Sequence, residues 1–190
     1  MLLYTLLVHG CASSAHVQPR VAAASTCGRG VAASIGDVQY PDLQRALDDV
    51  AVGGTVWICS GVHEGPFQLR AWSDVILVGS EPGVVLKAWH GRVLDAEVFA
   101  PSGDVGARLV LDGLTFVGGV GDHGGSLRVG ADELVISHSV VREGVAEEGG
   151  GLWVDPETWS VTLDQVTFED NSAGLGGALW LAESSELISD

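Results

Sequence analysis

Basic residues are scarce in this sequence, which has 9 lysines and arginines against 25 aspartates and glutamates and a formal net charge of −16 at pH 7. A field of that sign repels nucleic-acid phosphates, anionic lipid surfaces and polyuronate chains. The charge balance therefore excludes nucleic acid as a partner. It is typical of a solvated acidic exterior, with cation binding between carboxylates as the alternative.

An apolar run long enough to span a bilayer is also absent from the N-terminus. The stretch at residues 1–8 has instead the length of the apolar part of a secretion signal, so we predict an export signal over residues 1–11. The sequence LVHGC at residues 7–11 resembles the lipobox of bacterial lipoproteins, which makes Cys11 a lipidation candidate. We expect an exported protein of the outer membrane, cell surface or extracellular space, attached to a membrane only through a lipid anchor at Cys11.

Cysteine is limited to Cys11, Cys27 and Cys59, and the absence of a C-x-x-C pair excludes the common zinc spacings. In an exported chain Cys27 and Cys59 can form a disulfide, which would join the N-terminal segment to the first strand. Two free buried thiols are the alternative. The small and polar residues of 12–35 show no periodicity and predict a flexible linker.

Helical periodicity is confined to one short apolar stripe, for which we predict a capping-helix region over residues 36–54. Pro41 suits a first helical turn, and the two glycines at 53–54 suit its end. A lone amphipathic helix before a series of strands is typical of a cap over the open end of a β-rich fold. The stripe consists of Leu43, Ala46, Leu47 and Val50.

The strongest pattern is a repeat of about 25 residues. Residues 108–129, 133–154 and 160–181 align without internal gaps. This period is too long for a hairpin and too rich in strand formers for helical repeats, so we expect one turn of a coil per repeat, with equivalent strands parallel and about 4.8 Å apart. A leucine-rich repeat, the competing architecture, would need an asparagine ladder and a convex helix, and the sequence shows neither.

The predicted fold is therefore all-β: a right-handed parallel β-helix over residues 55–190, preceded by the capping helix. Residues 186–190 align with the start of a further repeat. We thus expect that the β-helix is truncated at its C-terminal end. The open strand edge at that end would permit end-to-end self-association.

The alignment also predicts which side chains point inward and where the chain bends. Alternation along each strand sends three sets of apolar residues to the core. Two further sets predict bends that recur in each turn: Gly119/Gly144/Asn171 predict a sharp bend with positive φ, and the glycine pairs at 124–125, 149–150 and 176–177 predict a second bend. The inward sets are Leu109/Leu134/Val161, Leu111/Ile136/Leu163 and Phe116/Val141/Phe168.

Two stretches resemble known families. Residues 40–79 are similar to the opening of pectin-lyase-like bacterial surface proteins. The sequences FEDN at 168–171 and GGAL at 176–179 resemble the paired FxxN and GGA[ILV] motifs of polymorphic outer membrane proteins. The resemblance implies a parallel β-helix of the cell envelope. Enzymes among these relatives place carboxylates, often with Ca²⁺, and an arginine or lysine on one exterior sheet.

No catalytic set of this kind is evident in the repeats, so we predict no catalytic residues and no cofactor. Asp122 shares an aligned position with Glu147, and Glu143 shares one with Asp170. Stacked carboxylates repel each other unless a cation lies between them, so these four residues are candidate Ca²⁺ ligands. Solvated acidic turns are the alternative.

The other candidate site is a column of outward side chains, Arg128, Trp153 and Trp180, at one aligned position. Tryptophans stacked on adjacent turns form a platform for sugar rings or a protein partner, and Arg128 could lie over Trp153. A loop at residues 155–159 folded over the column is the alternative. We therefore predict an exported non-catalytic surface or envelope protein, a binding or adhesin-like module with a carbohydrate or protein partner. A fragment of a polysaccharide lyase or hydrolase without its catalytic turns is the competing hypothesis.

Overall fold

A computed structural model describes residues 27–100, 106–181 and 186–189 of the chain. The predicted export signal and Cys11 lie outside these residues. The single helix within them is α1 (Leu43–Asp49). The strands are β1 (Ala33–Ile35), β2 (Val38–Tyr40), β3 (Gly54–Ile58), β4 (Gly61–Glu64), β5 (Phe67–Ala71), β6 (Val75–Gly79), β7 (Val84–Ala88), β8 (Leu94–Val98), β9 (Arg108–Asp112), β10 (Thr115–Gly118), β11 (Val120–His123), β12 (Leu127–Ala131), β13 (Glu133–Ser137), β14 (Val140–Arg142), β15 (Val145–Glu148), β16 (Leu152–Val154), β17 (Ser160–Asp164), β18 (Thr167–Glu169), β19 (Ser172–Leu175), β20 (Leu179–Trp180) and β21 (Glu186–Ser189).

The strands wind into a parallel β-helix, which confirms the predicted fold class. The first sheet has the order β2-β1-β3-β6-β9-β13-β17-β21, the second β18-β14-β10-β7-β4 and the third β20-β16-β12-β8-β5. A fourth sheet, β11-β15-β19, lies between the second and the third along the chain. Strand pairing is parallel throughout the described residues, except that β1 runs antiparallel to both β2 and β3.

The inward side chains form columns along the helix axis, as predicted. Leu109, Leu134 and Val161 are in register on adjacent strands of the first sheet, and all three are completely buried. Leu111, Ile136 and Leu163 form the next column in the same sheet. Each fully buried leucine contributes on the order of 1.5–3 kcal/mol through apolar burial, so the columns are the main source of stability.

We expect Leu134→Ala to lower the free energy of unfolding by about 2–5 kcal/mol, because it leaves a cavity between Leu109 and Val161 that the flanking strands cannot close. Urea denaturation followed by circular dichroism measures this loss. The matched control is Val110→Ala, an outward and only half-buried position on β9. An equal loss in both variants would show that the inward column is not the core of the fold.

One predicted bend is confirmed at Gly119, with φ of 92°, but lies one residue earlier than expected in the two later turns. There, positive φ occurs at Glu143 and Asp170, not at Gly144 and Asn171. Gly144 is required for space, because a Cβ there would lie 2.1 Å from the carbonyl oxygen of Gly150. Asn171 instead uses its side chain: its Oδ1 accepts from the Gly144 N–H at 3.0 Å, and its Nδ2 donates to the Val141 carbonyl at 2.8 Å.

The other predicted bend is confirmed, and a third bend recurs elsewhere in the same turns. Gly124, Gly149 and Gly176 have φ of 70°, 62° and 61°. The third bend follows the first-sheet strands and was not predicted. Its residues are Gly113, His138 and Gln165, with φ of 68°, 47° and 52°.

The N-terminal end of the core is closed by α1, whose predicted apolar stripe is buried. The helix begins at Leu43 and not at Pro41, because the Asp42 carboxylate caps it by accepting from the Arg45 N–H at 3.1 Å. The predicted linker also ends earlier than expected: residues 33–35 form β1, and Ala33 lies in the core. Residues 33–35 are ordered as a strand because β1 pairs with β3.

Cys27 and Cys59 form a disulfide, with a Cα–Cα distance of 5.6 Å. Cys59 is buried directly after β3, whereas Cys27 is exposed and precedes β1. The bond therefore joins the N-terminal segment to the first turn of the helix, and the alternative of two free thiols does not apply to this structure.

Candidate functional site

The third sheet carries a column of outward side chains along the helix axis. Pairing of β12, β16 and β20 places Arg128 beside Trp153 and Trp153 beside Trp180. We call these three residues the outer column. Inward residues flank each of them on its strand: Leu127 and Val129, for example, are completely buried on either side of Arg128. The structure thus brings together the three side chains that the repeat alignment predicts.

Within the outer column the two indoles stack. Their ring centroids lie 5.4 Å apart with an interplanar angle of 5°. The Arg128 Cζ lies 5.5 Å from the Trp153 ring centroid, within the range of a cation–π contact. His123, on β11 of the fourth sheet, contacts the same ring with a centroid distance of 5.2 Å and a tilt of 57°. Trp153 is therefore enclosed by three side chains.

This enclosure covers one ring of the aromatic strip that the repeat alignment predicts. Trp153 is only 8% exposed, and its Nε1 is buried without a hydrogen-bond partner among the described residues. Trp180 keeps partial exposure. From the predicted covering loop, Asp155 contacts Arg128 at 3.6 Å, whereas Trp159 lies beside Gly106 and its backbone N–H donates to the Asp132 carbonyl at 3.3 Å. Trp180 is thus the more exposed of the two rings of the outer column.

Arg128 is held among carboxylates. Its Nη1 donates to Glu97 Oε1 at 3.0 Å and to Asp95 Oδ1 at 3.2 Å, in addition to the Asp155 contact. Burial lowers the pKa of Arg128, but the hydrogen bond to Glu97 and the charge of Asp95 raise the pKa by more, so it lies above its usual value. Arg128 is consequently a permanent cation with its charge already neutralised.

Two more arginines join this network from the earlier turns. Arg70 contacts Asp95 at 3.5 Å and Glu97 at 3.3 Å, and Arg92 contacts Asp95 at 3.7 Å. Three of the nine basic residues of the chain therefore lie on this face of the third sheet. The repeat alignment missed Arg70, Arg92, Asp95 and Glu97 because the first two turns differ in length from the later ones.

The four candidate Ca²⁺ ligands are placed differently. Asp122 and Glu147 lie on the exposed outer side of the fourth sheet, and Glu143 and Asp170 occupy a positive-φ bend. Glu143 forms an ion pair with Arg142. Within residues 27–100, 106–181 and 186–189, no group of three or more His, Cys, Asp or Glu side chains is arranged to hold a metal ion. The structure therefore does not bring the four carboxylates together.

Among the helices of the described part, none is both long and apolar enough to cross a membrane. Comparison with known proteins finds no matching family model, curated protein or solved structure. The functional assignment therefore depends on the surface of this chain alone.

Proposed function

We propose that the chain is an exported, non-catalytic binding module that recognises an uncharged carbohydrate with the outer face of its third sheet. The observation that carries this proposal is the stack of Trp180 on Trp153 in the outer column. The C–H face of a sugar ring packs against an aromatic ring, and neighbouring polar side chains give it direction. Trp180 supplies such a ring, with Arg128 and its carboxylates on the same face.

The packing of Trp153 supports this role by holding Trp180 in place. Arg128 and His123 fix the Trp153 ring, and Trp180 lies nearly parallel to it. A ring that is already ordered loses little conformational freedom when a ligand binds, which favours affinity. The same packing means that Trp153 itself serves as support and leaves the ligand contact to Trp180.

Charge favours an uncharged ligand. The chain carries a net charge of −16, which disfavours polyuronates and other acidic sugars at any surface. The arginines of the third sheet do not reverse this field, because Asp95, Glu97 and Asp155 pair with them. Polar recognition would then come from hydrogen bonds at these side chains rather than from net attraction.

The disulfide supports export. Disulfides form and persist in oxidising compartments and are rare in the reducing cytosol. Cys27 and Cys59 are bonded at the N-terminal end of the helix. This supports the placement of the protein at a cell surface or in the extracellular space.

The test is a glycan array that contains neutral and acidic oligosaccharides, followed by titration of the best ligand. We expect binding to neutral glycans, and Trp180→Ala should weaken it at least about tenfold by removing the stacking ring. Trp89→Ala is the matched control, since Trp89 is 73% exposed and lies outside the outer column, in the connection between β7 and β8. Unchanged binding by Trp180→Ala, or an equal loss with Trp89→Ala, would contradict the proposal.

A further inference from the structure

The fourth sheet is an addition that only the later turns carry. In the first two turns, the second sheet connects to the third through residues 65–66 and 89–93. In the next three turns, β11, β15 and β19 lie between them. The chain leaves the wall of the β-helix at Gly119 and returns to it at Gly125. These two residues are in contact, since a Cβ on Gly119 would lie 2.2 Å from the carbonyl oxygen of Gly125.

The two faces of this sheet differ. One face contacts the third sheet, through His123 and the Trp153 ring. The opposite face, which we call the fin face, consists of Val120, Asp122, Val145 and Glu147 with Ser172 and Gly174. Val120 and Val145 are neighbours in register and are 53% and 48% exposed. Two adjacent exposed valines on an ordered sheet form an apolar strip without a partner among the described residues.

The carboxylates of the fin face are uncompensated. Asp122 and Glu147 form no ion pair with any described residue. Asp95 and Glu97 on the third sheet, by contrast, pair with arginines. The fin face therefore combines an apolar strip with unpaired negative charge, in a chain whose overall field already attracts cations.

We propose that the fin face is a docking site for a basic amphipathic helix of a partner protein. Valines on the fin face would pack against the apolar side of that helix, and Asp122 and Glu147 would pair with lysines or arginines at its edges. The dimensions fit. A helix that lies across the strands would place its apolar side on the valine row and one edge on the carboxylate row, and three parallel strands span about 10 Å, close to two helical turns of about 5.4 Å each. This site is separate from Trp180 and does not depend on carbohydrate binding.

The probe is a 14-residue peptide of leucine and lysine with the leucines at helical spacing. A scrambled peptide of the same composition lacks the apolar face. Fluorescence anisotropy should show that the wild-type protein binds the amphipathic peptide at least about tenfold more tightly than the scrambled one. Increasing salt should weaken this binding because surface charges are screened. Equal binding of the two peptides would mean general attraction to an acidic protein and would overturn the proposal.

Two pairs of variants locate the site. Val120→Ser with Val145→Ser should weaken binding of the amphipathic peptide at least about tenfold, and the control Val38→Ser with Val52→Ser changes two other exposed valines elsewhere. Asp122→Asn with Glu147→Gln should weaken binding and reduce its salt dependence, and Asp37→Asn with Glu81→Gln removes the same charge elsewhere. Thermal unfolding checks that every variant is folded. If the fin-face variants bind as their controls do, the docking site lies elsewhere and the proposal fails.

Discussion

Replacing both Cys27 and Cys59 with serine is expected to lower the free energy of unfolding by about 3–4 kcal/mol. The bond closes a loop with a sequence separation of 32, and the unfolded chain gains conformational freedom when this restraint is lost. The folded chain also loses the link between Cys59, at the end of β3, and the segment that precedes β1. The measurement is urea denaturation of the variant and of the oxidised wild-type protein, compared at equal concentration.

Reduction provides the control for this experiment. A thiol reductant should move the denaturation midpoint of the wild-type protein toward that of the double variant, and it should leave the variant unchanged. We also expect amide exchange to accelerate first in β1 and β2, which pack on the first turn, and least in β13, which lies between two neighbouring strands. Equal midpoints with and without the bond would contradict its stabilising role.

Trp153→Ala is expected to lower the free energy of unfolding by about 3–5 kcal/mol, the usual cost of removing a buried tryptophan. The ring is 8% exposed and is in contact with Arg128, His123 and Trp180, so its removal would leave all three without their shared support. Arg128 would then keep its carboxylates but lose the ring over which it lies. Chemical denaturation measures the effect.

Trp180→Ala is the matched comparison, because it removes the same side chain from the neighbouring position of the outer column. We expect a loss of only about 1 kcal/mol, since Trp180 is partly exposed and contributes mainly one stacking contact. The two losses should not add in the double variant, because the second substitution removes a contact that the first has already broken. If Trp180→Ala lowers the free energy of unfolding more than Trp153→Ala does, Trp153 is not the supporting ring of the outer column.

The columns of the core could be predicted from the sequence because their signal is redundant. Leu109, Leu134 and Val161 recur at one aligned position, and alternation along a strand leaves only one way to bury them. The bend at Gly144 was displaced by one residue because glycine is used for two different reasons. At some positions glycine permits a positive φ, and at others it leaves room for a neighbouring carbonyl. The sequence does not distinguish the two.

The candidate site could likewise be predicted only in part from the sequence. Alignment placed Arg128, Trp153 and Trp180 on one face, because alternation determines the side of the sheet to which a residue points. It could not show that Trp153 is enclosed, since enclosure depends on how Arg128 and Trp180 orient along the column and on His123 from another sheet. The partners Asp95 and Glu97 lie in turns that do not align with the later repeats, so the sequence contained no periodic signal for them.

The unequal length of the repeats has a consequence for how such a protein can vary. Strands β13 and β17 remain in full register, although the turn between them is longer than the one before, and the additional residues lie in the corner at 155–159. Wall and corner are thus separate modules: the walls must match from layer to layer, whereas a corner can change in length independently. New surface features, such as epitopes or affinity tags, are accordingly best grafted between the exposed residues Pro156 and Glu157 of this corner, which leaves the layers above and below it in place.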